Sequence, residues 1–344
     1  MKLSFTTYRI FLKHPFGISR STNNWYDIVL IFLQEGEIIG RGEAAPSLRY
    51  NESTERILSV LNKGVSIPDA KNKNIDDILN FVYPQLSGIK SLQAAFSMAL
   101  WDWWSQKKNK PLYSLLGYEN EGLPKTSFTI AIGTFGEIEK KVQEAEPYHI
   151  LKVKLGTPNN DKKIIKEIRK FTDKKIRVDA NEGWDFDTSV EMCNWLSYQN
   201  VEFVEQPFPA KELEKSKKLT EISPLDIYAD ENSRFSSDIR KIKDSFNGIN
   251  IKLMKCGSIE ESIKMINVAR KYKLKIMLGC MVETSVGITA AAHLASMVDK
   301  VDLDGNLLIR NDPYDGVKVE NGNMFLENFS GLGLKLKNKD NSLL

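Results

Sequence analysis

The feature that most constrains the fold is a series of eight short apolar segments in residues 126–306, each followed by a helical pattern. Such alternation is typical of parallel βα units, because a crossover helix returns the chain to the same edge of a sheet. Eight units in this order predict a closed (β/α) barrel of the TIM type, modified because the spacing is tighter than the usual ~30 residues per unit. The predicted strands are 126–132, 150–156, 175–180, 201–207, 225–231, 248–254, 274–280 and 300–306.

The first third of the chain has a different pattern. Residues 3–12 and 26–42 alternate apolar and polar side chains around a turn at 35–37, and helical patterns follow near 53–63, 74–85 and 91–106. Turn-forming and polar residues concentrate between Gly117 and Lys125, which predicts a linker. We therefore expect an α/β protein with an α+β capping domain at 1–120, completed by the tail at 320–344, and a barrel domain at 121–319.

Composition argues against several classes of function. Forty-eight basic and 45 acidic residues give a net charge of +3, so neither nucleic acid nor a membrane surface is expected as a partner. The three cysteines have no paired spacing, and no stretch has the apolar character of a signal peptide or a membrane span. The sequence therefore predicts a cytoplasmic protein. It leaves the oligomeric state open and is compatible with a homo-oligomer.

Carboxylates end three successive predicted strands. Asp179, Glu205 and Asp230 follow one another at intervals of 26 and 25 positions. Because the carboxyl ends of barrel strands form one face, we expect the three side chains to converge there. Any one of them could end its strand in solvent or pair with a lysine, but three together would repel one another unless a hard cation lay between them. The sequence therefore predicts a Mg²⁺ site.

Two lysines are expected to flank this site. In a ring of eight strands the second and sixth lie opposite each other, so Lys154 and Lys252 would face each other across a bound substrate. A lysine acts as a base only when its pKa falls well below ~10.4, and burial beside positive charge, here the metal and Lys152, favours such a fall. Taken alone, KVK at 152–154 is better explained by a half-exposed strand with solvated lysines.

An ordered set of motifs resembles the enolase superfamily, muconate-lactonizing subgroup. GRGEAAP at 40–46 and the segment 91–117 resemble the capping domain of that family. A lysine base acting with Mg²⁺ is a known property of the superfamily, so the resemblance implies that Asp179, Glu205 and Asp230 bind Mg²⁺ and that Lys154 and Lys252 transfer protons. The barrel motifs are KVK at 152–154, DANEGW at 179–184, EQP at 205–207, ADE at 229–231, NIKLMKCG at 250–257 and GCMVETSVGITAAAH at 279–293.

The segment VDLDGNLL at 301–308 resembles the dipeptide epimerases, of which L-Ala-D/L-Glu epimerase is typical. The resemblance implies that Asp302 and Asp304 receive the α-ammonium of a dipeptide substrate, and the period of two puts both side chains on one face of the strand end. The register of the PFGISRSTNN loop leaves the preferred substrate side chain open. The same resemblance implies that Thr129, Lys152 and, in that loop, Arg20 contact the substrate, and Cys280 at the end of the seventh strand is a further candidate.

The predicted reaction is Mg²⁺-dependent epimerisation at the α-carbon of the C-terminal residue of a dipeptide. One lysine removes the α-proton to form an enediolate, and the other returns a proton to the opposite face. An o-succinylbenzoate synthase or a muconate-type cycloisomerase on the same scaffold is the alternative, followed by a Schiff-base lyase and a non-catalytic metal-binding scaffold. The acid pair at 302 and 304 favours the epimerase, because the substrates of the synthase and the cycloisomerase have no ammonium to bind.

Overall fold

The computed structural model describes residues 1–69 and 73–337. Within these ranges the strands form one three-stranded antiparallel sheet, one eight-stranded parallel sheet and two small two-stranded sheets. None of the helices in the described ranges is long and apolar enough to cross a membrane. The strands are β1 (Lys2–Ile18), β2 (Ser21–Glu35), β3 (Ile38–Ala44), β4 (Phe128–Ile130), β5 (Ile150–Lys154), β6 (Lys175–Asp179), β7 (Val201–Glu205), β8 (Asp226–Ala229), β9 (Gly248–Ile251), β10 (Lys275–Gly279), β11 (Lys300–Asp302), β12 (Tyr314–Asp315), β13 (Lys318–Glu320), β14 (Asn323–Phe325) and β15 (Lys335–Leu336). The α-helices are α1 (Thr54–Leu61), α2 (Ile75–Val82), α3 (Lys90–Lys107), α4 (Leu112–Leu115), α5 (Phe135–Glu144), α6 (Pro158–Arg169), α7 (Phe186–Ser197), α8 (Leu213–Ile222), α9 (Ser236–Ile242), α10 (Leu253–Cys256), α11 (Ile259–Lys271) and α12 (Ser285–Ala292).

The barrel consists of β4 to β11, which lie side by side in sequence order. The first and last strands approach each other through a parallel bridge between Thr126 and Val301. The Thr126 hydroxyl also accepts a hydrogen bond from the Leu303 amide at 2.8 Å. The predicted set of eight parallel strands alternating with helices is therefore confirmed, although several strands are shorter than their apolar segments.

The sixth predicted strand, 248–254, is longer than the observed strand. Strand β9 ends at Ile251, and the chain turns at once into the short helix α10, with Lys252 as the residue that precedes its first turn. Gly257 ends this helix with a φ of 92°, a left-handed conformation that glycine adopts without the strain of a side chain. The helical turn places Lys252 and Lys255 beside the same strand end.

The segment 15–24, expected to be a loop, instead extends β1 and β2 into a long hairpin. Phe16 pairs with Asn23 and Ile18 with Ser21, after a register shift in β1. Close to its tip the hairpin reaches the barrel, where the Ile132 amide donates to the Gly17 carbonyl at 2.9 Å. Arg20 therefore lies in a hydrogen-bonded turn that is attached to the barrel.

The sheet β1–β2–β3 packs against α3 because two glycines remove side chains from the contact. A Cβ atom on Gly40 would lie 2.0 Å from the carbonyl oxygen of Ala99, and one on Gly42 would lie 1.9 Å from that of Ala95. Any larger residue at either position would force the sheet away from the helix. The glycines of GRGEAAP thus have a packing role.

Glu43, the next residue of that motif, attaches the cap to the barrel. Its buried carboxylate accepts hydrogen bonds from the backbone amides of Thr284 and Gly287, at the first turn of α12. Burial raises the pKa of Glu43 to about 7, while these hydrogen bonds favour the charged form. The contact fixes β3 against the segment that connects β10 to α12.

Residues 117–125 form neither helix nor strand, as expected of a linker. In the tail, Tyr314 of β12 pairs with Leu336 of β15, and Gly331 lies beside Pro111. The part of the predicted tail at 338–344 lies outside the described residues. The division into domains at 120/121 and 319/320 stays a prediction.

Candidate active site

Three buried carboxylates meet at the carboxyl ends of β6, β7 and β8. Asp179 and Glu205 are the last residues of their strands, and Asp230 directly follows the third. One oxygen from each lies within 4.8 Å of the others, and none of the side chains is appreciably exposed to solvent. This all-oxygen donor set fits a hard divalent cation such as Mg²⁺. The convergence expected from the strand spacing is therefore present.

The turn after β6 explains why the apolar run stops at Asp179. Asn181 and Glu182 both adopt left-handed backbone conformations, with φ of 45° and 65°. The Asn181 amide donates to Asp179 Oδ1 at 2.9 Å, and the Glu182 amide donates to the carbonyl of Gln206 at 2.8 Å. The turn thus ends the strand and holds one oxygen of the carboxylate in place.

Two lysines flank the acid cluster from opposite sides of the ring. Lys154 Nζ lies 2.7 Å from Asp179 Oδ2, and Lys252 Nζ lies 2.8 Å from Asp230 Oδ2. Burial acts to lower the pKa of Lys252, but the Asp230 carboxylate outweighs burial, so this pKa is raised. This direction applies to the ion pair of Lys252 with Asp230 alone, so the lowered lysine pKa expected beside a bound cation stays a prediction.

Lys152 lies behind the carboxylates. Its Nζ is 2.8 Å from Glu205 Oε2, 2.7 Å from Asp302 Oδ2 and 3.4 Å from Asp179 Oδ2, with 1% of the side chain exposed. Burial lowers its pKa, but Asp302 and Glu205 raise it by more, so the net shift is upward. The structure thus places this predicted substrate contact away from the open space of the site, where it links four strand ends.

Two further residues, which the sequence reasoning did not select, hold the carboxylates. Lys255 Nζ donates to Asp230 Oδ1, and also to the backbone carbonyls of Asp230 and Asn250 at 2.6 and 2.8 Å. Asn250 Nδ2 donates to Glu205 Oε1 at 2.6 Å. Although burial alone would raise the pKa of Asp230, Lys252 and Lys255 lower it. The spacings could have indicated both: Asn250 and Lys252 share a strand face, and Lys255 lies one helical turn on.

The two acids near the end of β11 have different surroundings. Asp302 accepts hydrogen bonds from the Ser127 hydroxyl at 2.6 Å and from Lys152 Nζ at 2.7 Å. Burial would raise its pKa, but Lys152 lowers it to about 2. Asp304 lies beyond the strand and accepts from the Thr129 amide at 2.6 Å, and burial together with the charge of Asp302 raises its pKa to about 7. Among the described residues Asp304 has no cationic side chain within ion-pair distance.

A cavity of about 740 Å³ lies between these strand ends and the cap. Residues at the ends of the barrel strands form the barrel side of the cavity, and the β1–β2 hairpin and residues 45–50 form its cap side. A second cavity, of about 550 Å³, lies near the C-terminal segment and contains none of the predicted site residues. The predicted residues that line the larger cavity are Arg20, Thr129, Lys154, Asp230, Lys252, Cys280, Asp302 and Asp304.

Arg20 reaches the barrel from the tip of the hairpin. Its guanidinium donates to the backbone carbonyl of Asn181 at 2.7 Å, to Glu182 Oε2 at 3.0 Å and to Glu231 Oε1 at 3.1 Å. Glu182 and Glu231 did not figure among the predicted site residues, because their partner lies more than 160 positions away in the chain. The hairpin is thus tied to the rim of the barrel by ion pairs.

Comparison with known proteins places both parts of the chain in one family. Residues 3–117 match the family described as mandelate racemase/muconate lactonizing enzyme, N-terminal domain. Residues 137–340 match the family described as enolase C-terminal domain-like. Together the two matches cover most of the chain.

Related proteins of similar length are epimerases. L-Ala-D/L-Glu epimerase of Bacteroides thetaiotaomicron is 37% identical over 97% of this chain and 88% of its own length. L-Ala-D/L-amino acid epimerase of Flavobacterium johnsoniae is 37% identical over 98% of this chain and 100% of its own length. Dipeptide epimerase of Enterococcus faecalis, solved with Mg and the dipeptide L-Leu-L-Tyr, is 30% identical, with a TM-score of 0.87 over 96% of this chain and 98% of its own.

Epimerases are isomerases, and the assignment of the chain to that class of enzyme is confirmed. The barrel and cap are shared with the solved relative across nearly the whole chain. On its fold, its two matched domains and its relatives, the chain belongs to the mandelate racemase/muconate lactonizing enzyme family of the enolase superfamily.

Proposed function

We propose that the protein catalyses Mg²⁺-dependent epimerisation of a dipeptide, related to L-Ala-D/L-Glu, at the α-carbon of its C-terminal residue. The observation that carries the proposal is the position of Lys154 and Lys252, on opposite sides of one cluster of three buried carboxylates. Relatives named as epimerases of such dipeptides support it, as does the solved relative with Mg and a dipeptide.

Asp179, Glu205 and Asp230 are the residues that would hold the metal. Bound Mg²⁺ supplies positive charge that stabilises the negative charge developing on the substrate carboxylate as the α-proton leaves. Lys152, Asn250 and Lys255 hold the three carboxylates in fixed positions through the contacts described above. The protein thus orients the ligands before substrate arrives, which avoids a reorganisation cost during the reaction.

The two lysines transfer protons to and from opposite faces of the α-carbon. In one direction a neutral Lys154 Nζ accepts the α-proton, while a protonated Lys252 Nζ donates a proton to the other face. In the reverse direction the roles exchange, so each epimer has its own base. Both amines line the cavity, and each forms an ion pair with one carboxylate of the cluster.

Asp304 is the residue best placed to bind the substrate ammonium. It lines the cavity, one of its oxygens is held by the Thr129 amide, and no cation of the described residues neutralises it. Asp302 is instead held by Lys152 and Ser127. Its contribution is a nearby negative charge, which makes the surroundings of Asp304 more attractive to a cation. The predicted pair therefore divides into one binding residue and one supporting residue.

The test is exchange of the α-proton of the C-terminal residue in D₂O, measured by mass and by NMR on a mixed dipeptide library. We expect exchange that stops on exhaustive chelation and returns when Mg²⁺ is added. Exchange that survives chelation undiminished would remove the metal from the proposal.

A second substrate set distinguishes the epimerase from other reactions on this scaffold. Because an N-acetylated dipeptide has no ammonium, we expect it to be a poor substrate compared with the free dipeptide. Equal turnover of the two, or preference for an o-succinylbenzoate precursor or a muconate, would favour the synthase or the cycloisomerase.

A further inference from the structure

Among the described residues, the charged side chains that line the cavity are, with one exception, already in ion pairs. On the barrel side Lys154, Lys252 and Asp302 are paired as described above, and Asp304 is the exception. On the cap side Asp27 is held by Arg9 at 2.7 Å. The remaining cap-side charges belong to one cluster, in which Arg20 and Arg49 meet Glu182 and Glu231.

The formal charges of Arg20, Arg49, Glu182 and Glu231 balance, and ion pairs join the four side chains into one cluster. Arg49 binds Glu182 through two parallel contacts, of 2.9 and 2.7 Å, while Arg20 contacts Glu182 at 3.0 Å and Glu231 at 3.1 Å. The side chains of Glu182 and Glu231 are only 8% and 3% exposed. Each arginine therefore already compensates a carboxylate that water reaches poorly.

A substrate side chain of either charge, negative or positive, would disturb the ion pairs of this cluster. An additional carboxylate would have to draw Arg20 away from Glu231, or remain beside two poorly solvated carboxylates without a cation of its own. An additional ammonium would have to share Glu231 with Arg20, whose guanidinium already contacts Oε1 of that carboxylate. Leaving a poorly hydrated charge unpaired is costly in both cases.

The rest of the cap-side wall is suited to an apolar group. Leu48 is 84% exposed and Trp25 is 44% exposed, and both line the cavity. Met281 and Val282 contribute apolar surface from the barrel side. Large apolar side chains left accessible in a cavity commonly mark the position of an apolar part of the ligand.

Within the class of dipeptides related to L-Ala-D/L-Glu, we propose that the C-terminal side chain of this protein's substrate is uncharged, unlike that of glutamate. The two termini are then the only charges that the dipeptide brings into the cavity. Asp304 receives the ammonium, and the cation that Asp179, Glu205 and Asp230 would hold receives the carboxylate. Among the described residues that line the cavity, no further charged side chain is without an ion-pair partner. This inference rests on the proposed epimerisation and names its substrate class.

The experiment compares dipeptides of matched shape that differ in charge. L-Ala-L-Gln and L-Ala-L-Glu form one pair, L-Ala-L-Met and L-Ala-L-Lys the other, and kcat/KM is measured by α-proton exchange in D₂O. We expect the neutral member of each pair to be favoured by about tenfold or more. A glutamate or lysine dipeptide that equals or exceeds its neutral partner would overturn the inference while leaving epimerisation intact. Exchange with none of the dipeptides would overturn both.

Two variants shift the balance in opposite directions. Glu231→Gln removes one anion around Arg20, and we expect it to raise the ratio of the glutamate to the glutamine dipeptide by about tenfold. Arg20→Gln removes the cation, and we expect it to raise the ratio of the lysine to the methionine dipeptide instead. Each ratio is measured within one variant, so changes in folding or metal affinity cancel. If neither ratio moves, the cluster does not set the side-chain preference, and the inference is wrong.

Discussion

The two walls of the cavity differ in how their charged groups are held. On the barrel side, Asp230 lines the cavity, and Asp179 and Glu205 lie beside it at neighbouring strand ends. Lysines and an asparagine hold these carboxylates in place. On the cap wall, Arg20 comes from a hairpin tip and Leu48 from a short 3₁₀ helix, and both are far more exposed. Rigid strands therefore carry the groups that the proposed reaction needs, while the hairpin and the neighbouring segment carry those that would contact the substrate side chain.

Because the two walls differ in this way, we expect substitutions on them to have different effects on kcat and KM. Groups that act on the α-proton affect kcat, because their contribution is made in the transition state. Groups that only contact the side chain affect KM or the choice between substrates. Each of the following predictions tests this division, in order of decreasing effect on catalysis.

The largest effect is expected from the lysines. Lys154→Ala and Lys252→Ala each remove one proton-transfer group, and such groups contribute typically about a hundredfold to ten-thousandfold to a rate. We expect inversion in either direction to fall by at least that factor, measured by polarimetry or by chiral chromatography. Lys162→Ala, which breaks a surface ion pair with Glu191, is the control and should keep the wild-type rate. A wild-type inversion rate in either active-site variant would remove that lysine from the mechanism.

A smaller effect is expected from Asp304. Asp304→Asn replaces a charge-assisted contact with the ammonium, and such contacts are worth roughly 1.5 to 3 kcal/mol, or about ten- to a hundredfold in kcat/KM. Because its pKa is raised to about 7, the wild type should lose kcat/KM for free dipeptides as the pH falls through that value. The variant should lack this acidic limb, and N-acetylated dipeptides should not show it. An unchanged acidic limb in Asp304→Asn would assign it to another group.

A side chain of the cap wall should act mainly on binding. Trp25→Ala removes apolar surface from the cavity, and we expect KM to rise about threefold to tenfold with little change in kcat, measured with a neutral dipeptide. Tyr198→Ala removes another exposed aromatic side chain outside the cavity and serves as the control. A large fall in kcat for Trp25→Ala would show that the cap wall participates in the chemistry, which would break the division.

The smallest effect on catalysis is expected where the chain before the linker meets α12. The buried ring of His293 accepts a hydrogen bond from the Tyr113 amide and contacts the carbonyl of Leu332, and burial lowers its pKa to about 4. His293 therefore takes up a proton near pH 6.5 in the unfolded chain but only near pH 4 in the folded protein. The free energy of unfolding keeps its full contribution from this residue above pH 6.5 and declines as the pH falls towards 4. The loss amounts to at most about 3 kcal/mol.

His293→Gln keeps a donor and an acceptor but removes the titration. Urea unfolding at pH 7 and pH 5 should show a smaller loss of stability in the variant than in the wild type. Identical losses would mean that other groups account for the pH dependence.

The sequence alone predicts the fold and the positions of those residues that lie at the ends of predicted strands. Asp179, Glu205 and Asp230 could be identified because each ends an apolar segment, and the ends of parallel strands share one face. The same rule placed Lys154 and Lys252 opposite each other. Such inferences need only the spacing along the chain.

What could not be predicted depends on contacts between distant segments. The sequence does not distinguish Asp302 from Asp304, because both lie on the same face of the strand end. Only the structure shows that Asp302 is paired with Lys152. The ion pairs of Arg20 with Glu182 and Glu231 could not be predicted from the sequence, because they require the hairpin to reach the barrel rim. The turn that places Lys255 against Asp230 was likewise hidden inside a segment that reads as a strand.

The central claim, that Lys154 and Lys252 serve opposite faces of one α-carbon, is tested most directly by isotope exchange from each epimer. Purified L,L- and L,D-dipeptides are incubated in D₂O with Mg²⁺ and with Lys154→Ala or Lys252→Ala, and loss of the α-proton signal is followed by NMR. We expect each variant to exchange the α-proton of one epimer only, with the two variants exchanging opposite epimers and neither producing inversion. Exchange of the same epimer by both variants, or inversion by either, would contradict the account.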